Sequence, residues 1–377
     1  MKYCKLNIVI CIVIIFFLSI GLITPSSFQT DMKIELTKLG QVSTGGEPYD
    51  LWVNEDQDIA YVTCGYFGLR IFDVSSPSNP IELSHVAETT AVINTGHATG
   101  YAHQLLYDNE IVYVGDGAAG LTIINCSDLT NPYIITHYTG GYAWDIQIIN
   151  NIAFVASGFN TLGNPGVMIL NITDPANPIL LYNYQTSSDV NDVEIAGNRG
   201  YLASNSGFKI LDISNSSNPI ALGEYEGPSN SYAIDVEISG NLAYLSLWKE
   251  GLKILDISNP ADITIVSEFK GNEISEYTYF HLNEEYVYLA TMANGVLILD
   301  VSDPNFPTEV SRYNDTGKAY GIFVRNDIIY VADQAEGLKI LKMETLPSET
   351  DTATTSSFHV YLSVLVLIII VIRKRKP

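Results

Sequence analysis

The sequence predicts an all-β fold, a seven-bladed β-propeller closed by an N-terminal outer strand, with a signal peptide before it and a membrane segment after it. Three observations carry this. An apolar strand headed by Gly recurs seven times, at Gly68, Gly120, Gly166, Gly207, Gly251, Gly295 and Gly337, with spacings of 52, 46, 41, 44, 44 and 42 residues. Each copy is accompanied by further short apolar segments, and four strands every ~44 residues make one propeller blade. The outermost segment is found after only six of the seven copies, and a matching one stands at the N-terminus.

Taken in order, residues 1–27 read as a secretory signal: Lys2 and Lys5, an apolar run from Ile8 to Ile23, then the small residues Ser26 and Ser27. An uncleaved anchor is the alternative. Residues 31–345 form the propeller. Within it the third strand of a blade reads GLRIFDVS at Gly68 and GLKILDIS at Gly251, apolar on both faces, as suits a sheet covered on each side by a neighbouring blade. Most copies then enter a turn rich in Asp, Pro and Asn, such as Asp174-Pro175-Ala176-Asn177-Pro178. First and second strands precede the Gly, as in Asp235–Ile238 and Leu242–Leu245, and a fourth follows, as in Ile220–Tyr225. After the seventh Gly the last strand is expected to end at Leu341 with no fourth strand behind it. Leu39-Gly40-Gln41-Val42 matches the missing strand, so the N-terminus is expected to close the ring and leave no open edge.

Residues 346–357 read as a Ser/Thr-rich linker and 358–372 as a transmembrane or sorting segment, short of the ~20 residues that usually span a bilayer. Residues 373–377, Arg-Lys-Arg-Lys-Pro, form a basic tail that places the body outside the cell.

The chain holds 42 acidic and 19 basic residues. Six of the basic ones lie in the two end segments, which carry no acid, so the body has 42 acids against 13 bases, a net of −29. Such a body repels nucleic acid and favours cations or basic partners.

These strands and turns resemble the LVIVD repeat family, whose motif is an aliphatic strand ending in Asp-Val-Ser-Asp-Pro-x-Asn-Pro. The resemblance covers about 35–342. Copies 2 and 3 depart from it with Asn125 and Asn171 for the strand-end Asp, and copy 7 with Lys342. It implies a propeller and a surface or secreted protein, and little about activity.

First strands line the central channel, running from a face called the top here to the bottom. At one shared position they carry Asp50, Gln104, Asp145, Asp192, Asp235, Tyr279 and Gly321, and Glu194 and Glu237 follow two residues on, on the same face. Converging carboxylates would suit calcium or another hard cation; solvated channel residues and turn caps are the plainer reading. Tyr101, His103, Tyr142, Trp144, Tyr277, Tyr279 and Tyr320 gather at the same rim, with His97 in the longest inter-blade loop and Trp248 also on top. Aromatic faces beside acids hold sugars or cationic groups. The expected ligand site is therefore the top mouth: Trp144, Asp145, Asp192, Asp235, Tyr101, His103 and Tyr279.

Sequons occur at Asn125, Asn171 and Asn215, expected on the bottom, and at Asn314, expected on the top. No Gly-x-Ser-x-Gly, His-Glu-x-x-His, Walker loop or Cys-x-x-Cys is present. The leading expectation is a cell-surface recognition module that presents its top face to an extracellular protein, glycan or cationic ligand and is anchored by its C-terminus. The alternatives are an extracellular hydrolase or lyase using the channel carboxylates, and a structural surface-layer component. Cys64 and Cys126, at opposite ends of their blades, are expected to be free thiols.

Overall fold

A computed structural model describes residues 32–54, 56–87, 102–158, 165–228, 231–270, 279–314 and 317–347. The expected signal peptide, membrane segment and basic tail fall outside these residues, as do most of the linker and His97, Tyr101 and Tyr277. Among the described residues no helix is long and apolar enough to cross a membrane. The chain divides into two compact units. Leu36–Met343 is the propeller, and the other unit, Met1–Glu35 with Glu344–Pro377, is described only as two strand ends.

Seven four-stranded antiparallel sheets make the blades. The first strand in the chain is β1 (Met32–Val42). Blade 1 is β2 (Asp50–Asn54), β3 (Ile59–Thr63), β4 (Leu69–Asp73) and β5 (Ile81–Val86). Blade 2 is β6 (Leu105–Asp108), β7 (Ile111–Gly115), β8 (Leu121–Asn125) and β9 (Tyr133–Tyr138). Blade 3 is β10 (Ile146–Ile149), β11 (Ile152–Ser157), β12 (Gly166–Asn171) and β13 (Ile179–Gln185). Blade 4 is β14 (Val190–Ala196), β15 (Arg199–Ser204), β16 (Gly207–Asp212) and β17 (Ile220–Glu226). Blade 5 is β18 (Ala233–Ser239), β19 (Leu242–Leu247), β20 (Gly251–Asp256) and β21 (Thr264–Phe269). Blade 6 is β22 (Tyr279–Asn283), β23 (Tyr286–Ala290), β24 (Val296–Asp300) and β25 (Thr308–Tyr313). Blade 7 is β26 (Ala319–Arg325), β27 (Ile328–Asp333), β28 (Gly337–Pro347) and, outermost, β1.

The recurring Gly has a double cause. All seven adopt φ between +71 and +150, a region that side chains with a Cβ rarely enter. In five blades a Cβ there would also run into the backbone oxygen near the end of the outer strand: Tyr138, Tyr184, Tyr225, Tyr313 and, for Gly337, Val42. Val42 belongs to β1. The N-terminal strand thus makes the same contact in blade 7 that fourth strands make elsewhere.

The strand-end Asp is equally local in origin. Its carboxylate accepts the backbone N–H two residues on, from Ser75 to Asp73, Ser214 to Asp212, Ser258 to Asp256 and Ser302 to Asp300, at 2.8–2.9 Å. Asn125 and Asn171 do the same with Ser127 and Thr173, which is why Asn replaces Asp without changing the turn. A second such turn follows at Asp128, Asp174, Asn215, Asn259 and Asp303.

Middle strands are buried on both faces and outer strands only partly, as in β3 and β5. The apolar core is therefore a set of seams between blades. One seam joins Val62 and Phe72 of blade 1 to Tyr330 and Ile340 of blade 7, so the ring is closed. At other seams a small or hydroxyl residue of the outer strand meets the next blade's turn: Ser84 Oγ donates to Leu129 O and Ser267 Oγ to Pro304 O, both at 2.6 Å. Gly223 lies against Pro260 O and Gly40 against Pro77 O in the same way. The last strand runs on to Pro347 instead of ending at Leu341, because β1 is equally long and provides its ladder partner.

Candidate functional site

Inner strands start at the top, and their first residues set the channel mouth. Five rings form a continuous arc there, contributed by the approaches to β10, β6 and β2 and by the start of β26. Tyr142 and Trp144 lie 4.7 Å apart, Trp144 and His103 4.3 Å, His103 and Tyr49 5.4 Å, and Tyr49 and Tyr320 5.1 Å, mostly edge to face. Of the expected aromatics, Tyr142, Trp144, His103 and Tyr320 are therefore together. Tyr279, the first residue of β22 in blade 6, is not one of the five rings, and Tyr49 joins the arc without having been singled out. Trp144 is half-buried against Gly158, and its indole N–H has no hydrogen-bond partner among the described residues. Burial pulls the His103 imidazole down to about 3, so it is neutral in ordinary buffers.

The aspartates sit just inside this arc and are engaged with one another and with the backbone. Asp50 accepts the Leu105 N–H at 3.1 Å, Asp145 that of Val193 at 3.0 Å, Asp192 that of Val236 at 3.0 Å and Asp235 that of Phe280 at 2.8 Å. One ring lower, Glu237 accepts the Leu282 N–H at 3.0 Å. Between blades 1–2, 3–4, 4–5 and 5–6 the carboxylate thus fastens its own inner strand to the next one. Asp145 also donates a side-chain hydrogen bond to Asp192. One oxygen of each is committed to a backbone amide, and the other oxygen of Asp192 accepts the Gln104 side-chain amide at 3.5 Å.

Burial raises all of these groups. Asp50 reaches about 7, and Asp145, Asp192 and Asp235 stand well above the usual range, with the neighbouring carboxylates adding repulsion to the last three. Glu194 reaches about 7 and Glu237 about 8, again chiefly through burial. The inner wall therefore carries less negative charge than its composition suggests. Among the described residues no group of three or more His, Cys, Asp or Glu side chains is arranged to hold a metal ion.

A cavity of about 560 Å³ lies further out on the top, lined by the β1–β2 connection, the β3–β4 loop of blade 1 and the β27–β28 loop of blade 7. Tyr66 and Phe67 stand on its wall, 57% and 50% exposed. The bottom mouth holds a second cavity of about 610 Å³. Its wall includes Trp52, His281 and Phe323, which the sequence reading did not single out. The available signal was their offset, two residues beyond the top ring on blades 1, 6 and 7.

Asn125, Asn171 and Asn215 use their side-chain oxygens to form bottom turns, and Asn314 is exposed after β25. Cys64 and Cys126 are buried free thiols, both pushed up to about 12 by burial.

The LVIVD repeat pattern matches residues 45–88, 99–139, 140–186, 187–227, 231–270, 281–315 and 316–342. Among solved structures, the crystal structure of a computationally designed protein, Ika8, is similar in fold. It is 12% identical, with a TM-score of 0.57, and the match covers 81% of this chain and 99% of that one. No curated protein matches the chain.

Proposed function

The chain belongs to the LVIVD repeat family, and from that premise we propose that it is a cell-surface interaction module that binds an extracellular protein through the top mouth of its propeller. The family is typically non-catalytic. The observation that carries the proposal is the five-ring arc from Tyr142 to Tyr320. Aromatic rings on a rigid scaffold are the usual anchors of an interface, since they bury much area and lose little side-chain freedom. Tyr66 and Phe67, exposed on the same face, extend the apolar area available to a partner. The acidic body favours a partner with basic residues around its contact, and their cations could stack on the same rings. In this reading Asp145, Asp192 and Asp235 hold the inner wall on which the arc is mounted, and the C-terminal apolar run attaches the protein to the membrane.

The test is an array of Lys- and Arg-bearing peptides probed with the full chain, followed by titration of the best binder. Trp144→Ala is expected to weaken that binding by about 1–3 kcal/mol with the melting temperature little changed. Affinity indifferent to Trp144 and Tyr142 but abolished by bottom-face changes would overturn the assignment.

A further inference from the structure

The bottom mouth differs in character from the top. Two residues beyond the top ring, the inner strands place Trp52, Leu106, Gln147, Glu194, Glu237, His281 and Phe323 at one level. The rings are confined to blades 6, 7 and 1, three consecutive blades once the propeller has closed. Trp52 and Phe323 have centroids 5.3 Å apart, as do His281 and Phe323, so they form one unbroken aromatic wall. Two residues lower, the same three strands end in Asn54, Asn283 and Arg325, with Asn326 next to the last. The cavity of about 610 Å³ lies between this wall and this rim. That is the size range of small-molecule pockets, ~300–1,000 Å³.

The polar groups at the rim are almost all neutral or neutralised. Arg325 is bound to Asp58 at 2.5 Å. His281 is held neutral by burial, pulled down to about 4, and Glu237, 3.8 Å from it, is pushed up to about 8 by its own burial. Asp56 at the edge is the remaining acid of the lining. Asn283 and Asn326 make no side-chain hydrogen bond among the described residues, so each offers an amide N–H donor and a carbonyl acceptor. An apolar wall on one side and free amides on the other match a molecule with one C–H face and an edge of hydroxyls. A charged ligand would find no unpaired counter-charge on the wall itself.

We propose that the bottom mouth is a second binding site, and that it takes the end of a neutral saccharide, stacked on Trp52, which the buried Phe323 backs, and hydrogen-bonded by Asn283 and Asn326. It is independent of the top-mouth reading, because it shares no residue with that surface.

The test is a titration of the purified full-length chain with four neutral oligosaccharide series, the β-1,4-glucans, α-1,4-glucans, mannans and N-acetylglucosamine oligomers, followed calorimetrically. Saturable binding of at least one series is expected, weakened tenfold or more by Trp52→Ala and by Asn283→Ala and unchanged by Trp144→Ala. Asn283→Ala, a rim change, keeps the test decisive if Trp52→Ala fails to fold. No saturable binding to any series would overturn the proposal. So would binding that survives Asn283→Ala and is lost in Trp144→Ala, which would move the sugar to the top mouth and leave the top-face proposal standing.

Discussion

Closure of the ring by β1 can be tested at one atom. Gly40 packs against the turn of blade 1, and a Cβ added there would come within 3.0 Å of Ser78 C and 3.1 Å of Ser78 Cα, and closer still to Pro77 O. Ordinary contact begins near 3.4 Å. The turn cannot give way easily, because Asp73 holds Ser75 N–H at 2.9 Å and Ser76 O holds Asn79 N–H at 2.8 Å. The strand must retreat instead, by about 1 Å, which strains the β1–β28 ladder and thins the seam between blades 7 and 1. Overpacking of this kind costs about 1–3 kcal/mol. For Gly40→Ala that means a melting temperature lower by roughly 3–10 °C. Gly223→Ala, at the equivalent seam of blades 4 and 5, should cost at least as much, since its Cβ would overlap Pro260 O. Gly240→Asn is the control. Gly240 has φ +60 and open space around it, and Asn already occupies the equivalent turn position at Asn150 and Asn326. Differential scanning calorimetry on the three variants gives the answer. If Gly40→Ala melts with the unmodified protein while Gly223→Ala does not, β1 is not the strand that closes the ring.

Three further outcomes are expected. Asp50 and Glu194 titrate near 7 and Glu237 near 8 in the folded chain, against ordinary values of 3.8 and 4.5, so the folded state keeps protons that the unfolded chain has already released. Stability should therefore fall as pH rises from about 5 to 8, and a melting temperature higher at pH 8 than at pH 5 would refute this. Lys339→Met should lower the urea midpoint by an amount worth about 3 kcal/mol, because Lys339 and Asp333 are both 1% exposed and 2.9 Å apart, and the loss strands a buried carboxylate; a neutral result would contradict it. A chain beginning at residue 31 should show two thiols to an aqueous thiol reagent only on unfolding, and a peptide map with a 64–126 disulfide would be incompatible with the blade register.

The blade count was legible because each blade is built from local rules. Gly at the head of the third strand answers to its own positive φ, and Asp or Asn at its end answers to an N–H two residues away. Such constraints repeat whenever the segment repeats, so spacing alone exposed them, and the missing fourth strand pointed to Leu39–Val42. The top aromatics were legible in part. Tyr142, Trp144, His103 and Tyr320 stand out as residue types, while the signal for Tyr49 was its position, directly before Asp50 as Trp144 is before Asp145, His103 before Gln104 and Tyr320 before Gly321.

By itself, then, the sequence determined the number of blades, the order of strands within them and the source of the closing strand, since all three follow from chemistry within a few residues or from counting. Tertiary structure decided what the inner strands do for one another. An aspartate at the head of an inner strand looks the same in sequence whether it faces a ligand or accepts the amide of a strand some 45 residues away, as Asp192 does from Val236 and Asp235 from Phe280. Its protonation is set by burial and by carboxylates from other blades, which no single repeat contains. The wall of Trp52, Phe323 and His281 exists only because the ring closes, bringing the first blade beside the last.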